Sequence, residues 1–399
     1  MELRFTPEEI AFREELRRFF RTEIPAEIRR KVSEGRHLGK EDILTSQRIL
    51  NARGLAVPNW PVEWGGQDWT PVQRYLYLEE MQLSAVPPPL SFNTSMVGPV
   101  IATFGSEAQK KRFLPATANL DIWWCQGFSE PGAGSDLAGL KTSARREGDA
   151  YIVNGQKTWT TLGQYADWIF CLVRTDPTAK KQKGISFLLI DMNTPGITRR
   201  PIQTIDGGVE VNEIFFDEVR VPAENLVGEE NKGWDYAKFL LSNERYGIAR
   251  IGQTKERIER VKRLAKQTPA GEGMLWDDPD FRRRLAQTEI ELKALEITQM
   301  RAISAQRHRA SDQPDPSSSI LKLKGSELQQ AATGLLMGVA GPLAMPKSDG
   351  HEHSNEPPIG PDWGVDAVAP LYFNYRKVSI YGGSNEIQRQ IIAKAFLGL

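Results

Sequence analysis

Gly127-Phe128-Ser129-Glu130-Pro131-Gly132-Ala133-Gly134-Ser135-Asp136 marks the point where the chain changes its periodicity. C-terminal to it, residues 151–154, 168–173, 185–190, 214–216 and 220–221 are β-branched or aromatic runs bounded by Gly, Asp and Pro. Turn signals recur every eight to twelve residues or so, which predicts an all-β unit of seven or eight strands, a sandwich or barrel. No long amphipathic helix interrupts these runs, which argues against a doubly wound parallel sheet. The decapeptide itself has two readings. Glycines admit backbone N–H groups close to a ligand, and loops of this composition cradle phosphates or planar polar rings. The same residues also make an ordinary turn. Its glycines do not space as GxGxxG, and it is neither a nucleophile elbow nor a P-loop.

On both sides of the β unit the period is helical. Thr6-Pro7-Glu8-Glu9 reads as an N-cap, a proline at the first helical position and a capping-box glutamate, with Phe12, Leu16, Phe19, Phe20 and Ile24 as the apolar stripe. Interruptions fall at Gly54, at Trp60-Pro61 and at Pro87-Pro88-Pro89; Trp60 and Trp64 read as core or interface anchors. Beyond the β unit, helices are predicted over residues 234–266, 281–306, 319–337 and 386–397. Leu285, Ile290, Leu292, Leu295 and Ile297 are the expected core of the second. The fold class is therefore α+β multi-domain. We expect a helical N-terminal domain at 1–121, a β-barrel or sandwich at 122–232, and a C-terminal domain like a four-helix bundle at 233–399.

Composition narrows the function classes. The 399 residues carry 51 basic and 51 acidic side chains, a formal charge of zero, which argues against nucleic acid as the partner. The mean hydropathy of −0.43 and the lack of a long apolar run leave no membrane span. Two cysteines give no disulfide framework, so a reducing, cytoplasmic setting is expected. Cys125 reads as a core thiol, His351-Glu352-His353 as a solvated loop and not a metal site, and the arginines between 301 and 309 as a solvated helix face.

Three stretches in order, GFSEPGAGSDLAG at 127–139, GQKTWTTLGQYADW at 155–168 and IYGGSNEIQRQIIA at 380–393, resemble the signatures of the acyl-CoA dehydrogenase family. With the α–β–α order, the resemblance covers essentially the whole chain. Within the family the chain is similar to the large subunit of pimeloyl-CoA dehydrogenases and to bacterial heteromeric steroid-side-chain enzymes. The resemblance implies FAD, bound non-covalently, and α,β-dehydrogenation of an acyl-CoA thioester to the trans-2-enoyl-CoA. It places Gln126, Phe128, Ser129, Gly134, Ser135, Trp159, Thr161, Ser384 and Glu386 with the cofactor, and Ser135, Met96, Arg245 and Gly382 with the substrate. Phe128 stands where the family usually has an aliphatic residue, and Ser384 and Glu386 replace the usual Thr and Gln. For Trp159 a second reading, a buried aromatic of the β domain, stands beside the flavin contact.

The base is the main departure. Many members place a glutamate directly before the glycine of the C-terminal motif, where this chain has Gly382 in Tyr381-Gly382-Gly383-Ser384. A minority places it just before an arginine on the first helix of the C-terminal domain, and Asn243-Glu244-Arg245 matches that position. Glu244 is thus the expected proton acceptor, against the plainer reading of a helix glutamate paired with a neighbouring arginine. Gly382 would polarise the thioester carbonyl through its N–H.

A second departure concerns the diphosphate of a neighbouring subunit's FAD. Asp278 occupies the place of the family's usual Arg, and Leu336-Met337-Gly338-Val339-Ala340-Gly341 lacks the usual leading Gln. A heteromer with a homologous subunit, α2β2, is expected, against local rearrangement in a homo-oligomer. The remaining alternatives are a catalytically silent subunit, and an acyl-CoA oxidase in place of an enzyme serving an electron-transferring flavoprotein. No arginine lies in residues 91–103, the expected lining of the acyl end, so a second substrate carboxylate has no evident partner.

Overall fold

The structure is a computed structural model and describes residues 4–243, 247, 249–306, 317–347 and 360–398. The chain forms two compact units: Lys40–Asp68 with Pro88–Glu244, and Met1–Gly39 with Trp69–Pro87 and Arg245–Leu399. The first is mixed and the second helical. The helices preceding residue 121 are shared between them.

The mixed unit is built on a seven-stranded sheet of β1 (Trp124–Gly127), β2 (Ser143–Glu147), β3 (Ala150–Thr161), β4 (Trp168–Arg174), β5 (Ile185–Asp191), β6 (Ile197–Ile202) and β7 (Val211–Pro222). The order is β1-β4-β2-β3-β7-β6, with β5 on β4. β1 runs parallel to β4, Gly127 opposite Cys171, and β3 pairs antiparallel with β7. Strands β4 and β5 are buried on both faces, which is why they read as continuous apolar runs. One face packs Cys125, Tyr151, Val153, Ile169 and Leu188 into a core. On the other, the Phe170 and Phe187 rings stack at 5.9 Å. Helices α3 (Lys40–Ala52), α5 (Gly98–Phe104), α6 (Glu107–Ala118) and α7 (Gly233–Asn243) belong to the same unit, with Phe104 4.5 Å from Tyr236. Trp60 is a core anchor as expected, buried and donating from Nε1 to the Thr94 carbonyl at 2.6 Å.

The helical unit contains α1 (Pro7–Thr22), α2 (Ala26–Glu34), α4 (Pro71–Leu83), α8 (Ile251–Ala265), α9 (Pro279–Gln306), α10 (Ser317–Ala340), α11 (Val368–Asn374) and α12 (Asn385–Ile392). The capping box at Thr6 and Glu9 forms as the sequence predicts, and Thr70 with Gln73 makes a second one at the head of α4. Ile258, Val261, Leu285, Leu292, Leu328 and Leu335 are among the residues of its core. Lys255 is tied between Glu79 at 2.6 Å and Glu296 at 2.8 Å.

Two expectations need correction. Residues 234–266 are not one helix: α7 ends at Asn243 and α8 begins at Ile251. Arg250 has φ 48°, a left-handed conformation through which an α-helix of L-residues does not continue. Ile290 is 70 % exposed and not core. It lies five residues past Leu285, about 140° round the helix and off the buried stripe.

Candidate active site

In the mixed unit, β1 delivers the chain to the glycine-rich loop. Gly127 is required there: a Cβ would come within 2.8 Å of Ile169 Cδ1 and 3.0 Å of Cys171 Sγ. The Phe128 side chain turns inward and meets Phe170 edge-on at 5.7 Å and Phe187 at 6.2 Å. Its aromatic identity, the departure noted in the sequence, is thus answered by two phenylalanines of β4 and β5, and its backbone stays at the loop. Gly132 and Gly134 have nothing within 4 Å of where a Cβ would sit, so the loop keeps an open side. Ser135 is exposed and Gln126 half-buried.

Strand β3 brings the second motif alongside. Thr158 N–H donates to the Ser129 carbonyl at 2.9 Å. The β3–β7 register slips between Lys157 and Thr160, a bulge that places Trp159 at φ 58°. Trp159 is 61 % exposed, which removes the reading of a buried aromatic. A large apolar ring held outward at a strained position is an invitation to a planar ligand. Next to it, Thr160 Oγ1 is buried without a hydrogen-bond partner among the described residues, and Thr161 is half-buried opposite Val211. Met96 lies buried in a π-helical turn, Phe92–Val97. Asn93 fastens that turn to β1, its Oδ1 accepting from Trp124 N–H at 3.0 Å. The mixed unit therefore carries Met96, Gln126, Phe128, Ser129, Gly134, Ser135, Trp159 and Thr161, with the glycine loop hydrogen-bonded to the strand that bears Trp159 and Thr161. An open glycine loop and an exposed ring beside it fit a planar cofactor such as a flavin.

In the helical unit, Gly382 and Gly383 take φ 63° and 79°, a left-handed turn that suits glycine. Gln388 Nε2 reaches both of their carbonyls, at 3.4 and 3.3 Å. Ser384 is the N-cap of α12, its Oγ accepting from Ile387 N–H at 3.4 Å, and Glu386 is exposed in the first turn. Hydrogen bonds from its own N–H and the Ser384 hydroxyl hold the Glu386 carboxyl below the usual range. Asp278 caps α9, Oδ1 accepting from Asp280 N–H at 2.8 Å and Phe281 N–H at 3.4 Å. A local structural task thus accounts for an aspartate there.

Glu244 and Arg245 lie outside the described residues, as do His351, Glu352, His353 and the end of the 301–309 arginine cluster. Both cysteines are fully buried. Burial pushes the Cys171 thiol up to about 11 and Cys125 further, so neither is a ready nucleophile.

Sequence reasoning missed several residues that hold these elements. Lys157 is fully buried and paired with Glu130 at 2.8 Å. Its signal was present: it shares the two-residue parity of Tyr151 and Val153, and an inward lysine demands an inward carboxylate. Lys322 is buried against Asn385, Nζ to Oδ1 3.0 Å, and desolvation pushes its ammonium down to about 8. Nothing in the local pattern of α10 announces that bond.

Comparison with known proteins matches the chain along its length. The family models described as acyl-CoA dehydrogenase N-terminal, middle and C-terminal domain match residues 6–121, 125–219 and 231–397. "Acyl-CoA dehydrogenase IpdE1" of Mycobacterium tuberculosis is 36% identical over 354 residues, spanning 88% of this chain and 86% of that protein. Among solved structures, the ChsE4-ChsE5 complex from Mycobacterium tuberculosis contains a chain with TM-score 0.84 and 33% identity, covering 100% of this chain and 99% of that one. The Tcur3481-Tcur3483 steroid ACAD superposes with TM-score 0.85 at 31% identity, with coverage of 100% and 99%.

Proposed function

The chain belongs to the acyl-CoA dehydrogenase family, whose members are flavin-dependent oxidoreductases acting on acyl-CoA, and from that premise we propose that it oxidises an acyl-CoA thioester to the trans-2-enoyl-CoA. The observation that carries the reading is the pairing of the open glycine loop with Trp159, exposed and left-handed on the adjacent bulge. FAD bound there would supply the two-electron acceptor for the hydride leaving the β-carbon. Backbone N–H groups at Phe128 and Ser129, the Trp159 ring and Thr161 would hold its ring, with Gln126 and Gly134 beside them. Ser384 and Glu386 would face the dinucleotide.

Glu244 is the proposed acceptor of the α-proton. A dry acyl pocket would raise its carboxyl towards the working pH, since burial disfavours the charged form. The Gly382 N–H would donate to the thioester oxygen as negative charge develops there, a contribution of roughly 3 kcal/mol for one such donor. Ser135, Met96 and Arg245 would contact the substrate. Replacing Glu244 by Gln should cut anaerobic bleaching of the flavin by substrate about a thousandfold. Undiminished bleaching would transfer the chemistry to another subunit. That second reading, a catalytically silent chain, draws on Gly382, which leaves the family's commoner base position without a carboxylate.

A heteromer with a homologous subunit follows from Asp278 and from the missing Gln ahead of Gly338, and it gains support from the two-protein complexes among the structural relatives. The three-domain division at 121/122 and 232/233, a cytoplasmic setting and reoxidation by an electron-transferring flavoprotein belong to the same proposal. For the substrate, the steroid relative and a glycine at the family's commoner base position favour a bulky acyl group. A pimeloyl-type second carboxylate is disfavoured by the lack of arginine in residues 91–103. Counting FAD per subunit in the chain expressed alone tests the assembly. Full occupancy in a homo-oligomer would overturn it.

A further inference from the structure

We propose that the buried Lys157–Glu130 pair is a positioning device, one that turns the Phe128 carbonyl into the protein and thereby presents the Ser129 N–H to the flavin. The inference rests on the FAD reading above and deepens it.

Lys157 has no exposure, and an ammonium in a protein interior costs several kcal/mol unless it is paired and hydrogen-bonded. Its Nζ donates to Glu130 Oε1 at 2.8 Å and to the Phe128 carbonyl at 3.2 Å. Glu130 is anchored in turn by the N–H groups of Lys141 at 2.7 Å and Thr142 at 2.9 Å. Burial pushes the Glu130 carboxyl up, but the Lys157 charge and these donors outweigh it and keep the carboxyl ionised, below its ordinary value. The two charges are therefore fixed on each other, and the second donor position of Lys157 is aimed at one peptide.

A trans peptide is planar, so its carbonyl and the next residue's N–H point in opposite directions. Drawing the Phe128 carbonyl onto a buried ammonium sends the Ser129 N–H the other way. That N–H has no hydrogen-bond partner among the described residues. The Ser129 carbonyl is held by Thr158 N–H, one residue before Trp159, so the same loop also registers the bulge. Apolar side chains of equal volume would fill the space without directing either peptide. Lys157 touches neither substrate nor cofactor in this account. It acts through Ser129.

A fixed donor stabilises the reduced, electron-rich flavin more than the oxidised form. In Lys157→Met, flavin affinity should weaken about tenfold for the oxidised form and a further tenfold for the reduced. That second factor lowers the midpoint potential by about 30 mV for this two-electron couple. Lys157→Met/Glu130→Gln, which removes both charges, should show the same shift and covers the case in which the single variant fails to fold. A potential unchanged in either flavin-loaded variant overturns the proposal while leaving FAD binding intact. In the unaltered protein, amide exchange at Ser129 should slow on adding FAD, and exchange indifferent to bound FAD also overturns it. Unaltered chain assembled with its homologous subunit that still takes up no FAD refutes the FAD reading as well.

Discussion

Replacing Trp159 by Asn separates what the side chain does for the fold from what it does for the cofactor. With 61 % of the residue exposed, the covered part amounts to about 100 Å² of the roughly 250 Å² a tryptophan can bury. Losing it costs the flavin-free protein up to about 2.5 kcal/mol at 25 cal/mol per Å². Asparagine tolerates the left-handed backbone at φ 58°, and relief of that strain returns about 1 kcal/mol. The flavin-free variant should therefore lose about 1.5 kcal/mol by urea unfolding. In the loaded protein a ring lying on one face of the indole would cover a further 75 Å² or so, about 2 kcal/mol, equivalent to a dissociation constant some 30-fold weaker. Fluorescence quenching on FAD titration measures the second quantity independently of the first. A variant that loses about 1.5 kcal/mol without FAD yet binds it within about threefold of the parent would refute the assignment of Trp159 to the flavin.

Other outcomes follow from single contacts. Asp278→Ala removes the cap of α9 and should cost about 1 kcal/mol in denaturant unfolding, with FAD stoichiometry unchanged. Phe128→Ala should cost about 3–5 kcal/mol, because its ring packs edge-on against both Phe170 and Phe187, whereas Phe128→Leu should stay near 1. Lys322 gives a pH signature. Burial lowers its ammonium from 10.5 to about 8, opposed in part by Glu386, so below pH 8 the folded chain carries the whole penalty. Between pH 8 and 10.5 the unfolded chain binds more protons than the folded one, and stability should rise with pH by up to about 3 kcal/mol. Lys322→Met should flatten that rise in unfolding curves across the window.

Much of the molecule was legible in one dimension because its signals are local and periodic. A Thr-Pro-Glu-Glu start is a helix cap wherever the chain places it, and alternating or continuous β-branched runs specify strands before any partner strand is chosen. The three motifs named the family in the same way. What the linear pattern left undetermined depends on residues far apart meeting in a dry interior. Lys157 finds Glu130 across 27 positions, and Lys322 finds Asn385 across 63. A bulge of one residue in β3 decided between the two readings of Trp159 and turned it outward, since strand parity flips at such a slip. Arg250 broke a helix that periodicity alone would have carried through. Residue order thus determined most of the elements and the family to which the chain belongs. Packing decided which backbone groups turn outward, because a buried charge must be satisfied and peptide planarity transmits that demand to the opposite face.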